Sequence, residues 1–179
     1  LAKKSNSKHE RNWLKLKFKE YKIKNSDISE LKIRMDIIPV SIAIAQAAIE
    51  SGWGTSRFAL EGNALYGQWT WSDNGLEPLE KDGGDHKVMR FKILTASIKA
   101  YKKNLNTHSG YIEFREARAN LRNRNEKVTG LKLTQYLDKY SAQGKKYTEI
   151  LKTTIKKNSL SDFENAKLLS TGLRKGIQL

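Results

Sequence analysis

The sequence predicts a mainly α domain of the α+β class, with one small β lobe set between two blocks of helices. Three observations carry that reading. Apolar residues recur at helical spacing from Trp13 to Ser51 and again from Thr95 to Asn158. The stretch between them, Asn63 to Phe91, is instead rich in aromatics and broken by turn signals. The most apolar run, Val40 to Ser51, falls inside the first block and reads as a buried central helix.

Taken in order, Leu1 to Lys8 are polar and basic and read as a tail. Trp13, Leu14, Leu16, Phe18 and Tyr21 suggest a first helix, and Asp27 with Glu30 three residues on has the spacing of a capping box for a second. Pro39 fits the first turn of the third helix, which Gly52 and Gly54 stop. Turn signals at Asp73-Asn74-Gly75 and Asp82-Gly83-Gly84-Asp85 separate two or three short strands, giving a β lobe over about 63–91. Helical spacing then returns through Ala100, Tyr101 and Leu105, through Phe114, Ala117 and Leu121, through Leu131, Leu133, Tyr136 and Leu137, and through Ile150, Leu151 and Ile155. Residues 159–179 read as an extension with one amphipathic helix around Phe163, Leu168 and Leu169. The expected organisation is a tail over 1–8, one domain over 9–158 and that extension.

At 179 residues the chain suits a single ordinary domain with one core. No apolar run approaches the ~20 residues needed to span a bilayer, so an integral membrane protein is not expected. The net charge of +15 implies attraction to some polyanion: nucleic acid, acidic headgroups or an anionic cell wall. With no cysteine, disulfides and thiolate metal sites are excluded, and the scattered His9, His86 and His108 make no ligand spacing. No metal or cofactor is expected. The chain starts at Leu1 and carries no signal segment, and so reads as a trimmed or processed product.

Glu50 is the residue that most invites a chemical reading. It closes the nearly uncharged segment Ile37 to Ser56 and lies in the last turn of a helix predicted to be buried. Desolvation and the negative end of the helix dipole both disfavour its charged form, so its pKa should be raised. A carboxyl kept protonated near neutral pH is what glycoside cleavage needs, because the leaving oxygen must receive a proton as the C–O bond breaks. The plain alternative is a glutamate satisfied by local hydrogen bonds. Trp53, Tyr66, Trp69 and Trp71 follow closely, and their rings could stack on the apolar faces of sugars while Gln68 or Asn63 meets the hydroxyls. Taken singly, each ring could equally be packing.

The run Ala45-Gln46-Ala47-Ala48-Ile49-Glu50-Ser51-Gly52-Trp53-Gly54-Thr55-Ser56, followed by Asn63-Ala64-Leu65-Tyr66-Gly67-Gln68-Trp69, closely resembles the Bax-like glucosaminidases, relatives of flagellar and autolysin peptidoglycan glucosaminidases. The resemblance extends from about Trp13 to Asn158 and takes in Asn104 to His108 and Tyr140 to Tyr147. It implies a lysozyme-like helical fold and hydrolysis of the β-1,4 bond after N-acetylglucosamine. It also implies Glu50 as general acid, Tyr147 as support for the reacting sugar or its acetamido group, Tyr140 as the earlier tyrosine of the pair, and Tyr66 with Gly67 lining the groove. Relatives carry a second glutamate on the β lobe just before a turn. Glu80, directly before Lys81-Asp82-Gly83, is preferred for it, with Glu77 as the alternative.

The implied partner is peptidoglycan or another N-acetylglucosamine-containing glycan, with anionic wall polymers held by charge and no nucleic acid. A monomer is expected, and the function that the resemblance implies would place it in the cell envelope, periplasmic or extracellular. His108 reads as a hydrogen-bonding residue at a helix junction, and the basic run Arg115 to Arg124 as a solvated face. Two rival functions remain at this stage: a lytic transglycosylase on the same fold, and a non-catalytic basic module binding wall or nucleic acid.

Overall fold

A computed structural model describes residues 7–73, 75–77 and 87–167. Ser7 caps helix α1 (Lys8–Glu20) through a reciprocal capping box: its hydroxyl accepts the Glu10 N–H while the Glu10 carboxylate accepts the Ser7 N–H. Helix α1 therefore begins at Lys8, the last residue of the stretch read as a tail. Helix α2 (Ile28–Arg34) starts at Asp27, whose carboxylate accepts from Ser29 and Glu30 N–H, but the box is not closed. The Glu30 side chain pairs with Arg34 instead. Phe18 of α1, Ile23 and Leu31 of α2 form a small cluster of their own beside the main core.

Helix α3 (Val40–Ser51) begins after Pro39, which is the N-cap with extended ψ of 136° and not a first-turn residue. Gly52 ends it in the left-handed conformation at φ 56°, where a side chain would be strained. A helix absent from the sequence reading, α4 (Arg57–Gly62), follows at once, capped by the Ser56 hydroxyl on Ala59 N–H. Strands β1 (Trp69–Thr70) and β2 (Lys87–Val88) then pair antiparallel, Trp69 opposite Val88 and Thr70 opposite Lys87. Leu76 adds a further antiparallel bridge to Val88. The expected β lobe is present and small.

Helices α5 (Leu94–Thr107), α6 (Ile112–Asn123), α7 (Gly130–Leu133) and α8 (Lys145–Lys157) complete the helical block, with a 3-10 segment over Thr134–Tyr140 between the last two. Ile42 of α3, Tyr101 and Leu105 of α5, Phe114 of α6, Leu133 of α7 and Leu151 of α8 form its fully buried centre. This is the mainly α, lysozyme-like arrangement expected. The chain continues into a 3-10 segment, Leu160–Asn165, in which Phe163 is exposed; the rest of the expected amphipathic helix, with Leu168 and Leu169, lies outside the described residues. The Glu164 carboxylate accepts from Ser41 Oγ and Gly130 N–H, fastening that segment to the starts of α3 and α7.

Two expectations are corrected here. Helix α3 is not buried all round: its Val40, Ile44 and Ala47 line an open apolar groove of about 630 Å³ with Ile37, Trp53 and Ile98. Nor is the Arg115 to Arg124 run a solvated face, because Arg115 and Arg118 are buried. Their guanidinium groups donate to backbone carbonyls at the ends of neighbouring elements: Leu105 and His108 for Arg115, Ile33 and Ile37 for Arg118. His108 caps the turn after α5, accepting the Gly110 N–H on Nδ1, as the sequence suggested.

Candidate active site

Glu50 sits in the last turn of α3, two residues before the glycine stop, so its side chain projects from the point where the helix gives way to a loop. It is partly buried. The Tyr147 hydroxyl, delivered by the first turn of α8, donates to Glu50 Oε1 at 2.9 Å. Burial raises the Glu50 pKa above its usual 4.5, and the Tyr147 bond, which favours the ionised form, lowers it; burial prevails. Burial and the nearby Glu50 carboxyl likewise push Tyr147 well above the ordinary phenol range, so it stays a hydrogen-bond donor at any working pH.

Behind this pair lies a buried chain of polar groups. Gln46, one turn before Glu50 on α3, donates through Nε2 to the Tyr147 hydroxyl oxygen at 2.9 Å. Tyr101 of α5 donates its hydroxyl to Gln46 Oε1 at 2.7 Å. Aromatic rings wall the chain in: Tyr101 stacks on Tyr66 at 3.9 Å, and Tyr140 stacks on Tyr147 at 5.6 Å. Tyr140 also donates to the Tyr66 carbonyl, which fixes the segment after α4 against the 3-10 turn before α8. Gly67, in that segment, has φ 57° and lies so close to Glu50 that a Cβ there would stand 3.4 Å from Oε2. Its lack of a side chain leaves that oxygen open.

The structure thus brings together Glu50, Tyr147, Tyr140, Tyr66 and Gly67 from separate regions of the chain. Tyr66 has its ring buried in the stack with Tyr101, and burial pushes its hydroxyl up to about 12. Trp69, Trp71 and Trp53 are the solvent-facing aromatics, at 60%, 77% and 61% exposure. Gln68 directs a buried side-chain oxygen that has no hydrogen-bond partner among the described residues. Glu77 is exposed on the lobe with its carboxylate 3.6 Å from Lys87 Nζ. Glu80 lies outside the described residues.

With this geometry in view, the comparisons are direct. The glucosaminidase family, described as mannosyl-glycoprotein endo-beta-N-acetylglucosaminidase, matches residues 25–160. The chain belongs to this family. Protein bax of Escherichia coli (strain K12) is 37% identical over 139 residues, covering 74% of this chain and 50% of that protein. The chain therefore spans about half the length of this curated relative. No solved structure matches it. Membership makes this a glucosaminidase domain, of a family of glycan-hydrolysing enzymes.

The glucosaminidase domain holds two polar residues at its centre that the sequence reading passed over, Gln46 and Tyr101. Both are fully buried and both were absorbed into apolar helical patterns. One signal was available. Gln46 is a lone amide in a run of Ala, Ile and Val, four residues before Glu50 and thus on the same helix face. Among the described residues no cluster of His, Asp or Glu could hold a metal ion, and no helix is long and apolar enough to cross a membrane.

Proposed function

We propose that this glucosaminidase domain hydrolyses the β-1,4 glycosidic bond that follows N-acetylglucosamine, in peptidoglycan or a related glycan of the cell envelope, with Glu50 as general acid. The observation that carries the proposal is the state of Glu50: a partly buried carboxyl, raised in pKa, held on one oxygen by Tyr147 and open on the other beside Gly67. Such a group holds its proton to higher pH than a free carboxyl does and can pass it to the leaving sugar oxygen as charge develops there. Tyr147 and Tyr140 shape the floor beneath the reacting sugar. The exposed rings of Trp69 and Trp71 offer flat apolar surfaces to neighbouring sugars.

The partner that completes the displacement is a lobe carboxylate, Glu80 or Glu77, or the substrate's own acetamido oxygen. A carboxylate activating water stands ~6.5–9.5 Å from the acid, and a direct nucleophile ~5–5.5 Å. Of the two, Glu80 is preferred because the Lys81-Asp82-Gly83 turn follows it directly. Digestion of purified peptidoglycan with mass spectrometry of the new ends tests the reading. New reducing-end N-acetylglucosamine is expected, and Glu50→Gln should lower turnover at least ~10²-fold. New 1,6-anhydro-muramic acid ends would make the protein a lytic transglycosylase instead. A Glu50→Gln protein with full turnover would remove the acid from its role.

A further inference from the structure

We infer that Gln46 is a positioning residue that, anchored by the Tyr101 hydroxyl, directs the single Tyr147 proton onto Glu50 Oε1 and so leaves Oε2, the oxygen beside Gly67, to deliver the catalytic proton. The inference rests on the reading of Glu50 as the acid. Its basis is the direction of each bond in the buried chain. A phenol has one hydrogen to give. Tyr101, buried to 1% exposure, gives its hydrogen to Gln46 Oε1, which turns the amide nitrogen toward Tyr147. Because the Tyr147 oxygen then receives a hydrogen from Gln46, its own hydrogen points at Glu50 Oε1.

The opposite setting of the amide fails on every count. With Gln46 Oε1 facing Tyr147, the Tyr147 hydrogen would be drawn to Gln46, and the Tyr101 hydrogen would face an amide nitrogen that cannot accept it. A buried donor would be stranded and Glu50 would lose its donor. The observed order satisfies all three groups, and a hydroxyl that accepts a bond becomes a stronger donor. The Tyr147 bond therefore tightens as Glu50 gives up its proton, which is when the carboxylate most needs a donor. The titratable groups that feel Glu50 are Tyr147 from α8, Tyr140 from the 3-10 turn before it and Tyr111 from the turn before α6. All three are held above the ordinary phenol range, so none ionises across the range in which the acid works.

Gln46→Leu removes the amide, and Tyr101→Phe removes only its anchor while keeping the ring that stacks on Tyr66. Two readouts are needed. First, the Glu50 titration is followed by carbon-13 NMR of its carboxyl in wild type and both variants, a measurement that requires no substrate. Both variants should raise the Glu50 pKa, because the Tyr147 bond that lowers it is weakened. Second, with glycan substrate, kcat should fall about tenfold in Gln46→Leu with KM little changed, and the alkaline limb of the pH profile should move upward. In a Tyr147→Phe background Gln46→Leu should cost no further activity, since its effect passes through Tyr147. An unchanged Glu50 pKa in Tyr101→Phe and Gln46→Leu, or a full additional loss in the Tyr147→Phe background, would overturn the inference. Should Gln46→Leu not fold, the near-isosteric Tyr101→Phe decides it alone. A wild-type protein that cleaves no glycan while its Glu50 titration responds as stated would defeat the proposed function and leave the hydrogen-bond order standing.

Discussion

A carboxyl group that is partly buried and met only by a phenol is more easily kept neutral than charged. For Glu50 this ties catalysis to stability. Its folded-state pKa lies above the ordinary 4.5, so between 4.5 and that raised value the folded chain holds a proton that the unfolded chain has released. Stability from this group is complete below pH 4.5 and is lost as pH rises through the raised value. Glu50→Gln keeps the shape without the ionisation. Its melting temperature should therefore exceed that of wild type at neutral pH, with the gap narrowing as pH falls through the raised value and levelling off below about 4.5. Thermal melts of both proteins across that range check this, and a gap that widens toward acid would contradict the raised pKa. Glu50 was legible in the sequence because a lone charge in an apolar stretch is a local signal. The pairing around it was not. Gln46 meets partners 55 and 101 residues away, Tyr101 and Tyr147, and no periodicity within a helix expresses such a contact.

At the scale of elements, helix α6 shows how charge can be structural. Arg118 has no exposed side-chain surface, and burial brings its pKa down to about 10 despite the Asp36 carboxylate beside it. It bonds to the Ile33 and Ile37 carbonyls and to Asn106 Oδ1, so it holds the end of α2 and the entry to α3 against α5 and α6. Arg122, one turn on, grips the same Asp36 from the surface through two bonds. Removing the buried partner strands several acceptors, so Arg118→Met should cost roughly 3 kcal/mol. Arg122→Met, half exposed, should cost under about 1 kcal/mol. Urea unfolding of the two variants separates them, and equal costs would mean that Arg118 is not the tie. The helix limits and the β lobe were readable from spacing, caps and turns because those are local. The burial of Arg115 and Arg118 was not, since a basic run has the same appearance in sequence whether its neighbours are water or carbonyls. Helix α4 escaped because six residues give too few turns for a period to emerge.

Over the whole molecule the net charge of +15 and the acid site act at different ranges. Among the described residues the influences on Glu50 are burial and Tyr147, with no lysine or arginine among them. Cationic side chains instead populate solvent-facing positions such as Lys132, Lys139 and Arg124, each beside a surface carboxylate, and the net positive charge would draw in a polyanion from outside the acid site. Surface charges of this kind are screened over ~10 Å at 0.1 M salt, whereas a hydrogen bond in a buried chain is barely screened. Salt should therefore separate encounter from chemistry. On an anionic wall polymer, KM should rise severalfold between about 0.05 and 0.3 M salt while kcat holds nearly constant. On a short neutral N-acetylglucosamine oligomer neither constant should move. Steady-state kinetics on both substrates across that salt range would check the division. A kcat that fell with salt on the neutral oligomer would mean that a cation reaches Glu50 after all, and the acid would owe part of its strength to the surface charge.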